Sequence, residues 1–276
     1  MLTYPEINPV LISFSDHLQI RWYGVMYLLA FACCWLLIRV RTRRVPGWLS
    51  VDRLNDLMSY TAMGVILGGR LGYLLFYLPL EWLHDPLLAF KVWQGGMSFH
   101  GGLMGVMVST WLFCRHTRES YIAVGDWIAP AIPVGLAFGR WGNFINAELW
   151  GRVTDVPWAM VFPGAGPFPR HPSQLYAILF EGFFLFTVLW IYARKPRKSG
   201  AVMGLFLMGY GIIRFCEEFF RQPDPQYGYL AFDWLTMGQL LCLPMILLGL
   251  YCMLMRNPET QSQPSFNTDK PKRSYP

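Results

Sequence analysis

The hydrophobic residues of this chain fall into seven long runs separated by shorter polar segments. The runs cover residues 19–38, 57–78, 97–113, 122–144, 175–192, 201–220 and 232–255. A helix needs about 20 mostly apolar residues to cross a bilayer core about 30 Å thick, and each run is close to that length. The pattern therefore predicts an all-α polytopic membrane protein with seven transmembrane helices.

The positive residues between the runs predict how these helices are oriented. Fifteen of the 23 Lys and Arg residues lie in the alternate segments 39–53, 115–118 and 194–198 and after the seventh run. The opposing segments hold only Lys91, Arg152 and Arg170. Because loops rich in Lys and Arg stay on the cytoplasmic side, the N-terminus is predicted to lie outside and the C-terminus inside.

Composition and charge agree with a membrane-embedded chain. Hydrophobic residues make up 54% of the sequence and charged residues 14%, against about 25% charged in soluble domains. The net charge is +6, and most of the positive residues lie in the segments that orient the helices. The charge therefore does not indicate binding to nucleic acid, and membrane lipids are the predicted partners. We predict a seven-helix transmembrane domain over 1–256, with an outer loop or head at 151–174, and a disordered cytoplasmic tail at 257–276.

Five arginines lie inside the runs or at their ends, where charge is costly and is a functional hypothesis by default. They are Arg21, Arg70, Arg140, Arg214 and Arg221. With the N-terminus outside, all five fall in the outer half of the bilayer. A channel needs polar groups across the full depth, so the one-sided cluster favours a substrate that resides in the outer leaflet, such as a phospholipid.

Converging guanidinium groups are typical of a phosphate clamp, because arginine binds phosphate bidentately and stays charged. Arg140 and Arg214 lie a turn or more further inside their runs than Arg21 and Arg221, and they are the predicted clamp. For Arg21 and Arg221, snorkelling to the headgroups is an equal alternative.

The sixth run places its charged residues on one helical face. Tyr210, Arg214, Glu218 and Arg221 follow one another at i, i+4, i+8 and i+11, which predicts that Glu218 pairs with both arginines. Such pairing either orients the arginines for a ligand or holds the bundle together.

Other chemistries are disfavoured by spacing. The five histidines show no metal-ligand spacing, so no metal site is predicted. Ser98 and His100 are two residues apart and cannot face each other on a helix. A serine hydrolase built on them is therefore disfavoured.

Five segments resemble blocks of the bacterial prolipoprotein diacylglyceryl transferase family. The longest, GRWGNFINAELWG at 139–151, looks like the family signature, and FHGG at 99–102 is similar to its histidine motif. The others are GRLGY at 69–73, RHPSQLY at 170–176 and YGIIR at 210–214. The resemblance runs in order along nearly the whole chain.

The resemblance implies an enzyme of the bacterial inner membrane with its active site toward the periplasmic leaflet. This transferase would move the diacylglyceryl group of phosphatidylglycerol to the lipobox cysteine of a prolipoprotein. The products would be a thioether and glycerol phosphate, in the first step of lipoprotein maturation. No cofactor is required.

The implied site residues fall into two sets. The catalytic set is His100, Arg140, Arg214 and Glu218. The set that binds phosphatidylglycerol is Tyr23, Arg70, Arg140, Asn143, Glu148, Gly151 and Tyr210.

The implied reaction fits the chemistry of these residues. Arg140 and Arg214 would stabilise the charge gained by the leaving phosphate. The thiol attacks as its thiolate, and His100 is either the base that takes its proton or a residue that positions the site. Two alternatives are kept open at this point: an outer-leaflet lipid transporter, and an intramembrane phospholipid hydrolase with water as the acceptor.

Overall fold

A computed structural model describes residues 2–15, 19–44, 50–91, 95–223 and 228–254. The chain is mostly helical. The predicted disordered tail, 257–276, lies outside the described residues.

The helices follow the apolar runs and are joined by short strands and loops. The strands are β1 (Leu2–Thr3), β2 (Val10–Ser13), β3 (Gln19–Arg21) and β4 (Met160–Val161). The first helices are α1 (Trp22–Arg44), α2 (Val51–Tyr77), α3 (Pro79–His84), α4 (Phe99–Thr117), α5 (Tyr121–Ile128) and α6 (Ile132–Ile145). The others are α7 (Ser173–Ala177), α8 (Leu185–Tyr192), α9 (Ala201–Glu217) and α10 (Met237–Leu254). A π-helical segment, Ile178–Phe184, joins α7 to α8.

Three helices of the described chain are long and apolar enough to cross a membrane. They are Trp22–Arg43, Ser173–Tyr192 and Met237–Leu254, and the bent pair α5 and α6 is a fourth candidate. The other predicted spans coincide with α2, α4 and α9, which are shorter or less apolar. The prediction that the first span begins at residue 19 is wrong, because Gln19–Arg21 pairs with β2 in an antiparallel hairpin.

The fourth apolar run is broken, which corrects the prediction of one continuous helix over 122–144. The axes of α5 and α6 differ by 58°. Pro130 lies in the break and Pro133 in the first turn of α6. Proline has no N–H to donate and clashes with the preceding turn, so the helix stops at Ile128 and restarts at Ile132.

The described residues form two compact units, 2–38 with 125–254 (the first unit) and 39–124 (the second unit). In the second unit α2 packs closely on α4. A Cβ at Gly72 would lie 2.6 Å from the Cα of Gly101, so this close approach of two backbones requires glycine, as small residues do at membrane helix interfaces.

The first unit has two buried apolar clusters. One lies between the helices and contains Ala129, Leu185, Leu189, Val202 and Phe206. The other contains Tyr4, Phe144, Met160, Phe162 and Ala165. It joins the end of α6 to the 151–174 segment, and the parallel pairing of β1 with β4 ties the N-terminal strand to the same segment.

Candidate active site

The end of α9 and the turn that follows it carry the ion pairs that the sequence spacing predicts. Glu218 Oε1 accepts a hydrogen bond from Arg214 and lies 3.4 Å from an Arg221 guanidinium nitrogen. The Glu218 side chain is 3% exposed and that of Arg214 is 12% exposed. The interaction is therefore largely shielded from solvent, and it fixes the direction of both arginines.

Glu218 is also held from the start of α10. Its Oε2 accepts a hydrogen bond of 3.0 Å from the Thr236 hydroxyl. A Cβ at Gly238 would lie 2.7 Å from Glu218 Oε1, so glycine lets the carboxylate approach the first turn of this helix. The positive end of the helix dipole favours a carboxylate there.

Glu181 connects the two arginines of the predicted clamp. The Nε of Arg140 lies 3.1 Å from Glu181 Oε2, and the Nε of Arg214 lies 3.9 Å from Glu181 Oε1. The Glu181 side chain is fully buried within the π-helical segment, a local structure often found at functional sites. Arg140 on α6 and Arg214 on α9 are thus oriented by one carboxylate between them.

A cleft opens beside this cluster. It is lined by Arg140, Leu149, Ser173, Gln174, Ala177, Arg214, Glu217 and Arg221. Three arginines that face one cleft can hold an anionic group, because each presents several N–H donors in a planar fork.

Two acidic residues of this region, Glu181 and Glu217, were not assigned to the site by sequence reasoning. Glu217 is 6% exposed and its carboxyl lies against that of Glu181. A carboxylate inside an apolar run is itself a signal, and for Glu181 that signal was present in the fifth run. Glu217 gives no separate signal in the sequence, because it adjoins Glu218, and only Glu218 has the helical spacing that predicts a pairing with Arg214 and Arg221.

The 139–151 motif forms the end of α6 and the turn that follows. Asn143 Nδ2 donates to Glu148 Oε1 at 2.7 Å, and Asn146 Nδ2 lies 3.4 Å from the same oxygen. Ala147 and Leu149, on either side of Glu148, have φ of 52° and 60°. This left-handed backbone is unusual for residues other than glycine, and it turns the Glu148 side chain back toward α6.

Gly151 is required by close packing. A Cβ there would lie 2.5 Å from the Phe220 carbonyl oxygen and 2.6 Å from the His171 Cβ. The Gly151 N–H donates to the His171 carbonyl at 2.9 Å. Next to it, Arg152 donates to the Arg221 and Glu218 carbonyls, each at 3.0 Å. The 151–174 segment is therefore joined to the end of α9.

Two tyrosines of the predicted binding set also lie in the first unit. The ring of Tyr23 packs on Gly142, where a Cβ would be 2.8 Å from it, and lies near Asn143. Tyr210 stacks on Phe206, with ring centroids 6.0 Å apart, and lies near Glu181, Arg140 and Arg214. Tyr23, Asn143, Glu148 and Gly151 are therefore connected through the α6 motif, and Tyr210 belongs to the arginine cluster.

His100 and Arg70 belong to the second unit. His100 is exposed in the first turn of α4 and contacts Phe99 edge to face at 5.6 Å. Arg70 is 4% exposed and donates to four backbone carbonyls, those of Leu88, Lys91, Gly95 and Gly96. These contacts fix the loop before α4, and the lipid-binding role of Arg70 stays a prediction.

Comparisons with known proteins identify the family. A sequence model described as prolipoprotein diacylglyceryl transferase matches residues 9–255. A relative from Legionella pneumophila (strain Corby), named phosphatidylglycerol–prolipoprotein diacylglyceryl transferase, is 55% identical over 251 residues, which are 91% of this chain and 98% of the relative. A relative of the same name from Pseudomonas aeruginosa (strain LESB58) is 54% identical over 264 residues, 96% of this chain and 99% of the relative. The chain therefore belongs to the prolipoprotein diacylglyceryl transferase family.

Proposed function

We propose that this membrane protein transfers the diacylglyceryl group of phosphatidylglycerol to the lipobox cysteine thiol of a prolipoprotein. The reaction forms a thioether and releases glycerol phosphate, and it is the first step of lipoprotein maturation. The observation that carries the proposal is the buried convergence of Arg140 and Arg214 on Glu181 beside a cleft. Relatives named for this activity match the chain over nearly its full length.

Arg140 and Arg214 act as the phosphate clamp. As the bond between the glyceryl carbon and the phosphate oxygen breaks, negative charge gathers on the phosphate. Guanidinium groups that are already oriented stabilise that charge more in the transition state than in the bound substrate. Glu218 contributes by holding Arg214 and Arg221 in place.

The remaining site residues have two roles in the proposal. Tyr23, Asn143, Glu148, Gly151 and Tyr210 shape the binding site for phosphatidylglycerol, and Arg70 keeps the lipid-binding role predicted for it from the sequence. His100 takes the proton of the attacking thiol, since a thiol with a pKa of about 8.5 is mostly protonated at neutral pH. The exposed ring of His100 is free of any internal hydrogen bond within the described residues, which suits a base.

We also propose the membrane arrangement that this reaction requires. Seven spans within 1–256 place the N-terminus and the 151–174 head in the periplasm of a bacterial cell, with the arginine cluster in the outer leaflet of the inner membrane. The tail at 257–276 is cytoplasmic. The asymmetry of positive charge between alternate segments supports this orientation.

The test is a transfer assay with purified protein in lipid nanodiscs, using phosphatidylglycerol and a synthetic lipobox peptide. We expect diacylglyceryl peptide and glycerol phosphate in equal amounts, detected by mass spectrometry. A matched peptide with Ser in place of Cys should give no product. Folded protein that gives no thioether would contradict the proposal. Release of free diacylglycerol without peptide would also contradict it and would favour a hydrolase.

A further inference from the structure

Glu181 and Glu217 form a buried carboxyl pair within the arginine cluster. Glu181 is 0% exposed and Glu217 6% exposed, and their carboxyl groups lie against each other. The contacts of Glu181 with Arg140 and Arg214 explain its presence as an anchor. Glu217 has no such explanation: its Oε1 lacks a hydrogen-bond partner among the described residues, and it makes no ion pair within 4.0 Å there.

The charges that surround the pair come from two other elements as well as its own. Arg140 faces it from α6, and Arg214, Glu218, Arg221 and Tyr210 face it from α9 and its end. The charges of the three arginines and of the three glutamates (the pair and Glu218) cancel if all six groups are ionised. Two carboxylates in contact repel each other, however, and a shared proton removes that repulsion.

One proton on the pair gives the cluster a net charge of +1. A phosphodiester such as phosphatidylglycerol carries one negative charge, so the singly protonated cluster matches it. Glu217 lines the same cleft as Arg140, Arg214 and Arg221. A phosphate held by these arginines would therefore lie beside Glu217.

We propose that Glu217, with Glu181 as its carboxylate partner, holds a proton and donates it to the departing phosphate ester. This inference rests on the proposed transfer reaction. The thiolate sulfur forms a bond to the glyceryl carbon, the bond from that carbon to the phosphate oxygen breaks, and the electron pair of that bond stays on the phosphate. The proton of Glu217 passes to the phosphate, so that glycerol phosphate leaves as a monoanion. The base that took the thiol proton releases it to water, and Glu217 regains a proton from water, so that no net proton is gained or lost.

The physical reason lies in the low dielectric of a buried site. Without proton transfer, bond cleavage would create a second negative charge on the phosphate in a place where charge is poorly solvated. General-acid assistance of this kind contributes about 10²- to 10⁴-fold to a rate. Glu217 lines the cleft, and its buried Oε1 has no hydrogen-bond partner among the described residues. It is therefore suited to that role, whereas Glu218, which is paired with two arginines and Thr236, is not.

The first experiment measures the proton without turnover. Infrared spectra of the full chain in nanodiscs at neutral pH should contain the C=O stretching band of a protonated carboxyl group. We expect Glu217→Gln to lose this band and Glu81→Gln to retain it, since Glu81 is an exposed carboxylate in α3. Folded wild-type protein without such a band, or a band unchanged in Glu217→Gln, overturns the inference.

The second experiment measures the rate of transfer across pH. We expect Glu217→Gln to lower kcat by at least about 100-fold with KM close to that of the wild type, and Glu81→Gln to change neither. The wild-type kcat should fall as pH rises and the acid loses its proton, and this dependence should be absent from the residual rate of Glu217→Gln. A merely structural Glu217 would leave the shape of the pH profile unchanged.

These outcomes separate the inference from the proposed function. A wild-type chain that forms no thioether contradicts the function, whatever the infrared result. A wild-type chain that turns over together with an equally active Glu217→Gln contradicts only the general acid. If Glu217→Gln does not fold, Glu217→Asp is measured instead. This variant should keep the carboxyl band and have a lower kcat than the wild type. A wild-type kcat without the band overturns the inference.

Discussion

Glu181 shows how one residue can organise a site whose other members lie far apart in the chain. Its two oxygens face Arg140, 41 residues earlier, and Arg214 on α9. Burying a carboxylate or a guanidinium group costs free energy unless the charge is paired. The three groups therefore stabilise one another, and the guanidinium groups are oriented before a ligand arrives.

The clamp predicts that Arg140 cannot be replaced by lysine. Lysine keeps the positive charge but presents a compact ammonium group, which cannot contact Glu181 and a phosphate through separate N–H groups of one plane. We expect Arg140→Lys to lower kcat/KM by about 100-fold or more and Arg140→Ala to abolish transfer. Arg115→Lys, at a surface arginine that lies over Trp111, is the control. Wild-type rates in both Arg140 variants, with folding shown by unchanged thermal unfolding, would defeat the clamp.

His171 predicts a pH dependence of stability. Trp158 Nε1 donates to the Tyr176 hydroxyl at 2.6 Å, and that hydroxyl lies within hydrogen-bond distance of Nδ1 of His171, at 3.0 Å. Burial lowers the pKa of His171 below its ordinary value of 6.5. The unfolded chain therefore takes up the proton first, and stability falls as pH falls below about 6.5.

The measurement is the thermal unfolding midpoint at pH 8 and pH 5.5 for the wild type and His171→Gln. Glutamine does not titrate but can still accept a hydrogen bond. We expect the midpoint of the variant to fall less on acidification than that of the wild type. Equal losses would mean that His171 does not contribute to this dependence.

Residue spacing predicted contacts within one helix and missed those between helices. The pairing of Glu218 with Arg214 and Arg221 follows from the i+4 and i+3 spacing of these residues at the end of α9, which one sequence reveals. The contact of Arg140 with Glu181 depends on how α6 packs against the π-helical segment. Spacing within either element carries no information about that packing.

At the scale of elements, α9 is anchored by a carboxylate from another helix. Asp126 on α5 is 4% exposed and accepts from the N–H of Gly200 at 2.6 Å and of Met203 at 2.8 Å. These donors belong to the start of α9, which has no side-chain cap of its own. Asp126 therefore satisfies groups that would otherwise be buried without a partner.

Removing this charge should destabilise the protein. Asp126→Asn retains one acceptor oxygen but places an NH₂ group toward a backbone N–H, at a cost of about 1–3 kcal/mol. We expect a lower thermal unfolding midpoint in detergent. Asp56→Asn, at an exposed position of α2, should leave the midpoint unchanged. A midpoint for Asp126→Asn equal to that of the wild type would show that the cap contributes nothing.

Run length predicted that helices exist, but it could not predict their ends or interruptions. Hydropathy counts apolar residues, and Ala129, Pro130 and Ala131 continue an apolar run although the backbone turns there. In the same way Gln19–Arg21 reads as the start of a span, whereas its pairing with Val10–Ser13 makes it a strand. The π-helical turn at Glu181 leaves no mark in hydropathy either.

For the whole molecule, the positive charges divide into those that orient the chain and those that bind within it. Arg194, Lys195 and Lys198 precede α9 in a segment predicted to face the cytoplasm. Arg214 lies within α9 itself and belongs to the buried cluster. In the proposed orientation the basic segment lies on the cytoplasmic side and the buried cluster in the outer leaflet, so a substrate phosphate in the outer leaflet meets only the cluster.

That orientation can be tested with two introduced cysteines. Asp155→Cys lies in the 151–174 head and Lys195→Cys in the basic segment before α9, and both native residues are exposed. A membrane-impermeant maleimide added to intact spheroplasts should label Asp155→Cys and leave Lys195→Cys unlabelled until the membrane is opened. The unaltered chain sets the background from its six native cysteines. This pattern is expected because positive loops are retained in the cytoplasm during insertion. The reverse labelling pattern would mean that the bundle is inverted and that the arginine cluster lies in the inner leaflet. A periplasmic peptide thiol could not reach it there.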